Sequence, residues 1–319
     1  MDGDYNCVVL LGPTAVGKTA LGVRIARHYG WDIISADSRQ VYKGLDLGSG
    51  KDIADYTLHE QLPDGTVQDV QVPFHLIDVT TLAEEYNVFN FQQDFYSLFR
   101  SFSTQGKMPF VVGGTGMYLD AIVRGYNFVP VPENTALRAQ LAEKSLQELG
   151  EMLLALRPNL HNKSDLTDRD RLLRAIEIQT FMQGAELPDR PAVRAFVIGT
   201  TIPRELLRKN IAVRLKERID AGMIEEVQGL HDAGYSWERL EKLGLEYRFV
   251  SEYLEGKIGS REDLFEQLYH AICHFAKRQE TWFRGMERKG VTIHWLPSVA
   301  DRTARYDASL QLIDCALTP

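Results

Sequence analysis

Gly12-Pro13-Thr14-Ala15-Val16-Gly17-Lys18-Thr19 decides how this chain is read. It is a complete G-x-x-x-x-G-K-[ST] pattern. Cys7-Val8-Val9-Leu10-Leu11 precedes it and reads as a buried strand. After it, Ala20, Leu21, Val23, Ile25 and Ala26 recur as the apolar face of a helix. Strand, glycine loop and helix N-terminus together make a phosphate cradle. Backbone N–H groups point inward, the helix dipole adds partial positive charge, and Lys18 adds a full charge. Thr19 would offer its hydroxyl to Mg²⁺. Gly12, Pro13, Thr14, Ala15, Val16, Gly17, Lys18 and Thr19 are therefore the expected phosphate-binding set. The pattern implies a polyphosphate with a metal ion but leaves the reaction open. A plain strand-to-helix turn is the bland alternative.

Outward from this loop, strands and helices alternate, which predicts an α/β fold: a P-loop-containing parallel sheet flanked by helices. Residues 31–35 read as a second strand ending at Asp37-Ser38-Arg39-Gln40. Residues 74–78 read as a third strand, 87–105 as a Phe-rich amphipathic helix, and 108–112 as a fourth strand. Gly113-Gly114-Thr115-Gly116 then opens a helix over 117–123. Parallel strands end along one edge, and ligands bind there, so Asp37 is expected near the mouth of the glycine loop. The Gly113–Gly116 turn would let backbone amides and the Thr115 hydroxyl approach a ligand, although helix capping explains it equally well.

Residues 44–72 read as irregular. Gly44 to Asp52 imitates a second phosphate loop, but its spacing is one residue too long and Asp52 follows Lys51, so a mobile loop is expected. Leu62-Pro63-Asp64-Gly65-Thr66 is a turn suited to a hairpin tip. From Gly125 the alternation stops, with a boundary at Pro130 and Pro132. Residues 133–187 read as helices only. The expected layout is a P-loop core of residues 1–126 and 193–319 with a helical insertion at 127–192. Within the insertion, Asp170, Arg171 and Arg174 share helix faces; solvated local ion pairs are the plain reading. Residues 195–200 return to strand. Helices are expected over 203–234, 237–255 and 261–286, then a short strand at 291–295 and a terminal helix. The segment Lys277-Arg278-Gln279-Glu280-Thr281-Trp282-Phe283-Arg284 sets polar and basic groups beside large aromatics. Phosphate contacts and base stacking would use it, and so would an ordinary docked helix.

The 319 residues are 44% hydrophobic and 25% charged, with net charge −8. No apolar run reaches membrane-spanning length and the first residues carry no export signal, so no membrane association is expected. Cys7, Cys273 and Cys315 form neither a disulfide framework nor a zinc site, which points to a reducing cytoplasm. The acidic total argues mildly against nucleic acid, but local patches rather than totals meet phosphates. A monomer is expected.

Several stretches together resemble one family, the tRNA dimethylallyltransferases. They are residues 12–19; Ile34-Ser35-Ala36-Asp37-Ser38-Arg39-Gln40-Val41-Tyr42; Val112-Gly113-Gly114-Thr115-Gly116-Met117-Tyr118; residues 170–177; the helix around Arg214; and Lys277-Arg278-Gln279 with Thr281-Trp282-Phe283-Arg284. They fall in order across nearly the whole chain. The resemblance implies transfer of the dimethylallyl group of dimethylallyl diphosphate to the exocyclic amine of the adenosine just 3′ of a tRNA anticodon. It narrows the ligand of residues 12–19 to a diphosphate. It implies Asp37 as general base, with Thr115 and Arg214 completing the catalytic set, and Mg²⁺ as cofactor. It implies contacts to the tRNA anticodon stem-loop from Asp37, Ser38, Arg39, Gln40, Thr115, Arg138, Asp170, Arg171, Arg174, Arg248, Lys277, Arg278, Gln279 and Arg284. Two stretches depart from the family: Glu246 stands where it has a glycine, and residues 48–52 lack its threonine and proline.

Two other functions compete. One is a kinase or prenyltransferase acting on a free nucleotide or small metabolite. The other is a non-catalytic RNA-binding or nucleotide-sensing module. The insertion and the Lys277–Gln279 stretch favour tRNA over the first, and the intact Lys18, Thr19 and Asp37 disfavour the second.

Overall fold

The computed structural model describes residues 4–129, 131–157, 166–184 and 189–317. Pro130 and two parts of the expected insertion helices, residues 158–165 and 185–187, lie outside them. The chain divides into two compact units, Met1–Tyr126 with Pro191–Pro319, and Asn127–Arg190.

In the larger unit the order begins β1 (Cys7–Leu11), α1 (Lys18–Tyr29), β2 (Ile33–Ala36), β3 (Thr57–Gln61), β4 (Val67–Gln71), β5 (Phe74–His75), α2 (Val88–Thr104), β6 (Phe110–Gly113) and α3 (Gly116–Val123). The smaller unit holds α4 (Thr135–Gln140), α5 (Leu146–Leu156) and α6 (Arg169–Met182). The larger unit resumes with β7 (Ala195–Gly199), α7 (Arg204–Asp220), α8 (Met223–Asp232), α9 (Trp237–Glu241), α10 (Leu245–Leu254), α11 (Arg261–Arg288), β8 (Ile293–Trp295) and α12 (Arg302–Leu317). Six strands pair in the order β5-β2-β6-β1-β7-β8, all parallel.

β1 is central and buried throughout, and its alternating side chains feed two cores. Cys7, Val9 and Leu11 pack with Phe91, Phe95 and Phe99 of α2 and with Phe283 and Met286 of α11. Val8 and Leu10 pack with Leu21 and Ile25 of α1 and Ile313 of α12. Helices therefore cover both faces, as a parallel sheet requires. A third, helical core joins Leu207, Ile211, Leu215 and Ile219 of α7 to Leu264, Leu268, Ile272 and Ala276 of α11. Both sets recur every fourth residue along one helix face.

The structure corrects three local expectations. Residues 44–72 are not irregular: a 3₁₀ turn at Ile53–Tyr56 leads into an antiparallel hairpin of β3 and β4, with Leu62 N–H bonded to Thr66 O at 2.8 Å across the tip. The third strand stops at His75, because Leu76 and Asp78 adopt φ of 62° and 54°, which no strand accommodates. The loop carrying Gly48 is tied down rather than mobile. Glu226 accepts the N–H groups of Asp46, Leu47 and Gly48 at 3.2, 2.6 and 3.1 Å. Lys51 is buried and pairs with Asp46, Asp78 and the Tyr42 carbonyl. Over 203–234, where a long helix or a pair is expected, the chain forms the pair α7 and α8.

Candidate active site

Strand register aligns the functional loops. Leu11 lies level with Gly113 and Gly199, and Gly113 with Ala36. The residues that follow, Gly12, Gly114, Thr200 and Asp37, therefore leave the C-terminal edge of the sheet beside one another. Gly12 has no room for a side chain, since a Cβ there would lie 2.4 Å from Thr200 O. The loop then turns through Ala15 at φ 59° and Gly17 at φ 84° into α1, where no side chain caps the first amides.

Side chains from three distant helices brace this loop. Gln279 of α11 accepts the Thr14 N–H at 2.8 Å and donates Nε2 to Gly114 O at 2.8 Å. Asn210 of α7 donates to Ala15 O at 3.2 Å, and buried Arg305 of α12 donates to Val16 O at 3.0 Å. Lys18 Nζ donates to Pro13 O at 2.7 Å. Apart from the Thr14 N–H, these bonds engage carbonyls and leave the amides of residues 15–19 for an anion.

A cleft of about 1070 Å³ opens over the loop. Thr14 to Thr19 line it, with Asp37, Ser38, Arg39 and Gln40 after β2, Thr115 after β6, and Arg214 of α7. Gly12 and Pro13 are buried beneath. Asp37 Oδ1 accepts the N–H groups of Arg39 and Gln40 at 2.8 and 3.3 Å, which fixes the carboxylate. Thr115 Oγ1 accepts the Ser38 N–H at 3.1 Å. Gln40 bridges Ser35 and Gly50 O, at 3.2 and 3.1 Å.

Two cations of the cleft are perturbed. Burial, followed by the charge of Arg214, lowers Lys18 to about 8, against a smaller opposing pull from Asp37. Burial and Arg218 lower Arg214 to about 10, opposed by Asp52, Glu246 and Asp37. Arg214 Nε is buried with no hydrogen-bond partner. Free Lys18 is charged below about pH 8 and neutral above it. Pyrophosphate affinity should therefore hold near neutrality and weaken above pH 8, by up to about tenfold per further pH unit. Titration calorimetry across that range checks this; a flat profile to pH 9.5 would contradict it.

Among the described residues no group of three or more His, Cys, Asp or Glu side chains could hold a metal. Thr19 does line the cleft. A single hydroxyl fits Mg²⁺, which keeps several waters and usually takes few protein ligands besides substrate phosphates.

The other expected contacts separate into groups. Arg248 and Arg278 line the main cleft, and Arg278 lies over the Phe275 ring at 5.8 Å. Lys277 and Arg284 sit on another face of α11, in a groove of about 680 Å³ with Arg204 and Arg208. Gln279 also lines the main cleft; it is largely buried with its amide bonded at both ends to backbone, so it braces the loop.

In the smaller unit, Asp170 and Arg171 are exposed on α6. Arg138 forks onto Glu177 at 2.7 and 3.0 Å, and Arg174 bonds Glu177 at 3.0 Å and Val131 O at 2.7 Å. Much of their hydrogen-bonding capacity is thus used within the unit. The Arg138 hydrogen bond chiefly holds the Glu177 carboxyl down to about 2, against burial. Its folded value is depressed, so its stabilisation is complete above its ordinary pKa of 4.5 and is lost as pH falls toward 2. Glu177→Ala should destabilise the unit by about 2 kcal/mol, because two half-exposed arginines and the Asn134 N–H lose their acceptor. Denaturant unfolding at pH 7 measures this.

Sequence reasoning gives no site role to Asn210, Arg218, Asp52 or Arg305. Asn210, Arg214 and Arg218 follow one another at intervals of four on α7, and this one-face spacing could have found the first two. Arg305 carries no such signal.

A family model described as IPP transferase matches residues 40–286, and one described as isopentenyl transferase matches residues 5–61. A Treponema denticola protein named tRNA dimethylallyltransferase 2 is 52% identical over 298 residues, covering 92% of this chain and 96% of that one. A Shewanella sediminis protein of the same name is 49% identical over 300 residues, covering 93% and 95%. The solved full-length tRNA isopentenylpyrophosphate transferase of Bacillus halodurans is 28% identical with a TM-score of 0.68, covering 98% of this chain and 97% of that one. A eukaryotic dimethylallyltransferase solved acting on tRNA shares the fold, with a TM-score of 0.72 at 21% identity, over 97% of this chain and 78% of that one.

Proposed function

The chain belongs to the tRNA dimethylallyltransferase family, and on that premise we propose that it transfers the dimethylallyl group of dimethylallyl diphosphate to the exocyclic amine of the adenosine just 3′ of the anticodon in tRNA. The observation that carries this reading is that Asp37 and the glycine loop line one cleft. A diphosphate seated on the loop amides, Lys18 and Arg214 would present its allylic carbon to an adenosine held on the Asp37 side.

The bond between the allylic carbon and the diphosphate oxygen breaks, and a bond from the amine nitrogen to that carbon forms. The electron pair leaves with pyrophosphate, where the loop amides, Lys18 and Arg214 meet the growing charge. The amine proton passes to Asp37, whose Oδ1 is engaged by two backbone N–H groups while Oδ2 serves the substrate. The Thr115 hydroxyl oxygen accepts from Ser38 N–H, which leaves its own proton free to donate to the reactants. Mg²⁺ held by Thr19 and the diphosphate would supply further neutralisation of the leaving group.

Ser38, Arg39, Gln40, Arg248 and Arg278 are assigned to the adenosine and its neighbours. Lys277 and Arg284, with Asp170, Arg171 and the unused edges of Arg138 and Arg174 in the helical insertion, are assigned to the anticodon stem-loop. Exposed Trp282 and Phe275 stand beside Arg278 as stacking surfaces. No helix among the described residues is long and apolar enough to cross a membrane, and a cytoplasmic site of action accords with a tRNA substrate.

Incubation with labelled dimethylallyl diphosphate and bulk tRNA, with ATP controls, tests the proposal. Label should enter tRNA at the adenosine 3′ of the anticodon. Label in free AMP alone, or phosphate transfer from ATP, would overturn it.

A further inference from the structure

A second cation stands beside Arg214 in the cleft and has no part in the mechanism above. Arg214 and Arg218 lie one turn apart on α7, and both guanidiniums close on Gly50. A Cβ at Gly50 would lie 2.2 Å from Arg214 Nη2 and 2.3 Å from Arg218 Nη2, and its φ of 70° favours glycine there. Two guanidiniums this near one another repel, and they need a shared anion. Asp52 supplies it: its Oδ2 lies 3.1 Å from Arg218 Nη2 and 3.9 Å from Arg214 Nη2.

The surroundings suit an exchangeable anion. Arg218 is only 11% exposed, whereas Asp52 is 46% exposed. The backbone of the loop is held by Glu226 and by buried Lys51, so the Asp52 side chain can turn outward without unfolding its support. Asp55 and Glu246 also act electrostatically on the pair, but among the described residues only Asp52 forms an ion pair with it.

Resting on the diphosphate reading of this cleft, we propose that Arg218 is a further donor-binding residue and that Asp52 is its resident counter-ion, displaced by the diphosphate of the donor and returning as pyrophosphate leaves. Asp52 thereby weakens the hold on pyrophosphate and eases product release. The same carboxylate keeps the two arginines ordered when the site is empty.

Binding of inorganic pyrophosphate to the full-length protein, followed by calorimetry, tests this apart from prenyl transfer. Asp52→Asn should tighten pyrophosphate binding by about fivefold, the size expected for removing a half-exposed ion pair that competes with the ligand. Product inhibition should strengthen to the same degree. Arg218→Gln should weaken binding, and in the Asp52→Asn/Arg218→Gln double variant the gain should vanish. Asp52→Ser serves as a second variant, with thermal unfolding to confirm that each is folded. A merely structural role for Asp52 predicts weaker binding in both single variants, and that result would overturn the proposal. A gain that persists without Arg218 would overturn it too. If the wild-type protein binds no pyrophosphate, the diphosphate reading itself falls.

Discussion

Asp37→Asn should cut single-turnover prenyl transfer by roughly two to four orders of magnitude, the usual contribution of a positioned general base. An exocyclic aromatic amine is a weak nucleophile, and its proton must go somewhere as the new bond forms. Asparagine keeps the size and the Oδ1 bonds to Arg39 and Gln40, so the turn after β2 survives. It removes only the basic oxygen. The affinities for tRNA and for pyrophosphate should therefore change little while the chemical step collapses. Filter binding and rapid-quench kinetics on the same preparations separate the two. Unimpaired chemistry in the variant would remove Asp37 from the mechanism.

Lys18→Met should be nearly as damaging, by a different route. Lys18 is the full charge among partial ones in the glycine loop, and its ammonium is tethered by Pro13 O toward the cleft. Methionine keeps much of the length and loses the charge. Loss of one preorganised donor at a developing oxyanion costs about 2.7–4 kcal/mol, or roughly two to three orders of magnitude in rate. Donor KM should rise as well, because ground-state diphosphate also meets the charge. The tRNA dissociation constant should hold. A variant that lost tRNA binding in equal measure would show Lys18 supporting the fold rather than the leaving group.

The sheet was legible because its central strands are short apolar runs broken by glycine or aspartate, and parallel topology sends their ends to one edge. That logic brings residues 12–19 and Asp37 to one place, whereas Thr115 joins them only through the family resemblance. The 44–72 region misled because its hairpin strands are polar on both sides; β3 and β4 bury almost nothing, so hydropathy alternation is faint. β5 misled in the opposite sense. Phe74-His75-Leu76-Ile77-Asp78 has the composition of a strand, and only the left-handed turns at Leu76 and Asp78, beside buried Lys51, cut it short. Gln279 was read with its basic neighbours Lys277 and Arg278. Neighbouring positions on a helix point about 100° apart, and this one turns into the protein. The braces from Asn210 and Arg305 bridge gaps of 195 and 289 residues, beyond the reach of any local pattern.

Those bridges also set an order of events during synthesis. The glycine loop emerges well before α7, α11 and α12, which supply its three supports. A ribosome-bound chain that has exposed β1 and α1 carries the signature without the architecture. Contacts so distant along the chain carry a high loop-closure cost and form late. Competence to take up a prenyl donor should therefore arise in one closing step, when α12 docks, and not accumulate gradually as translation proceeds.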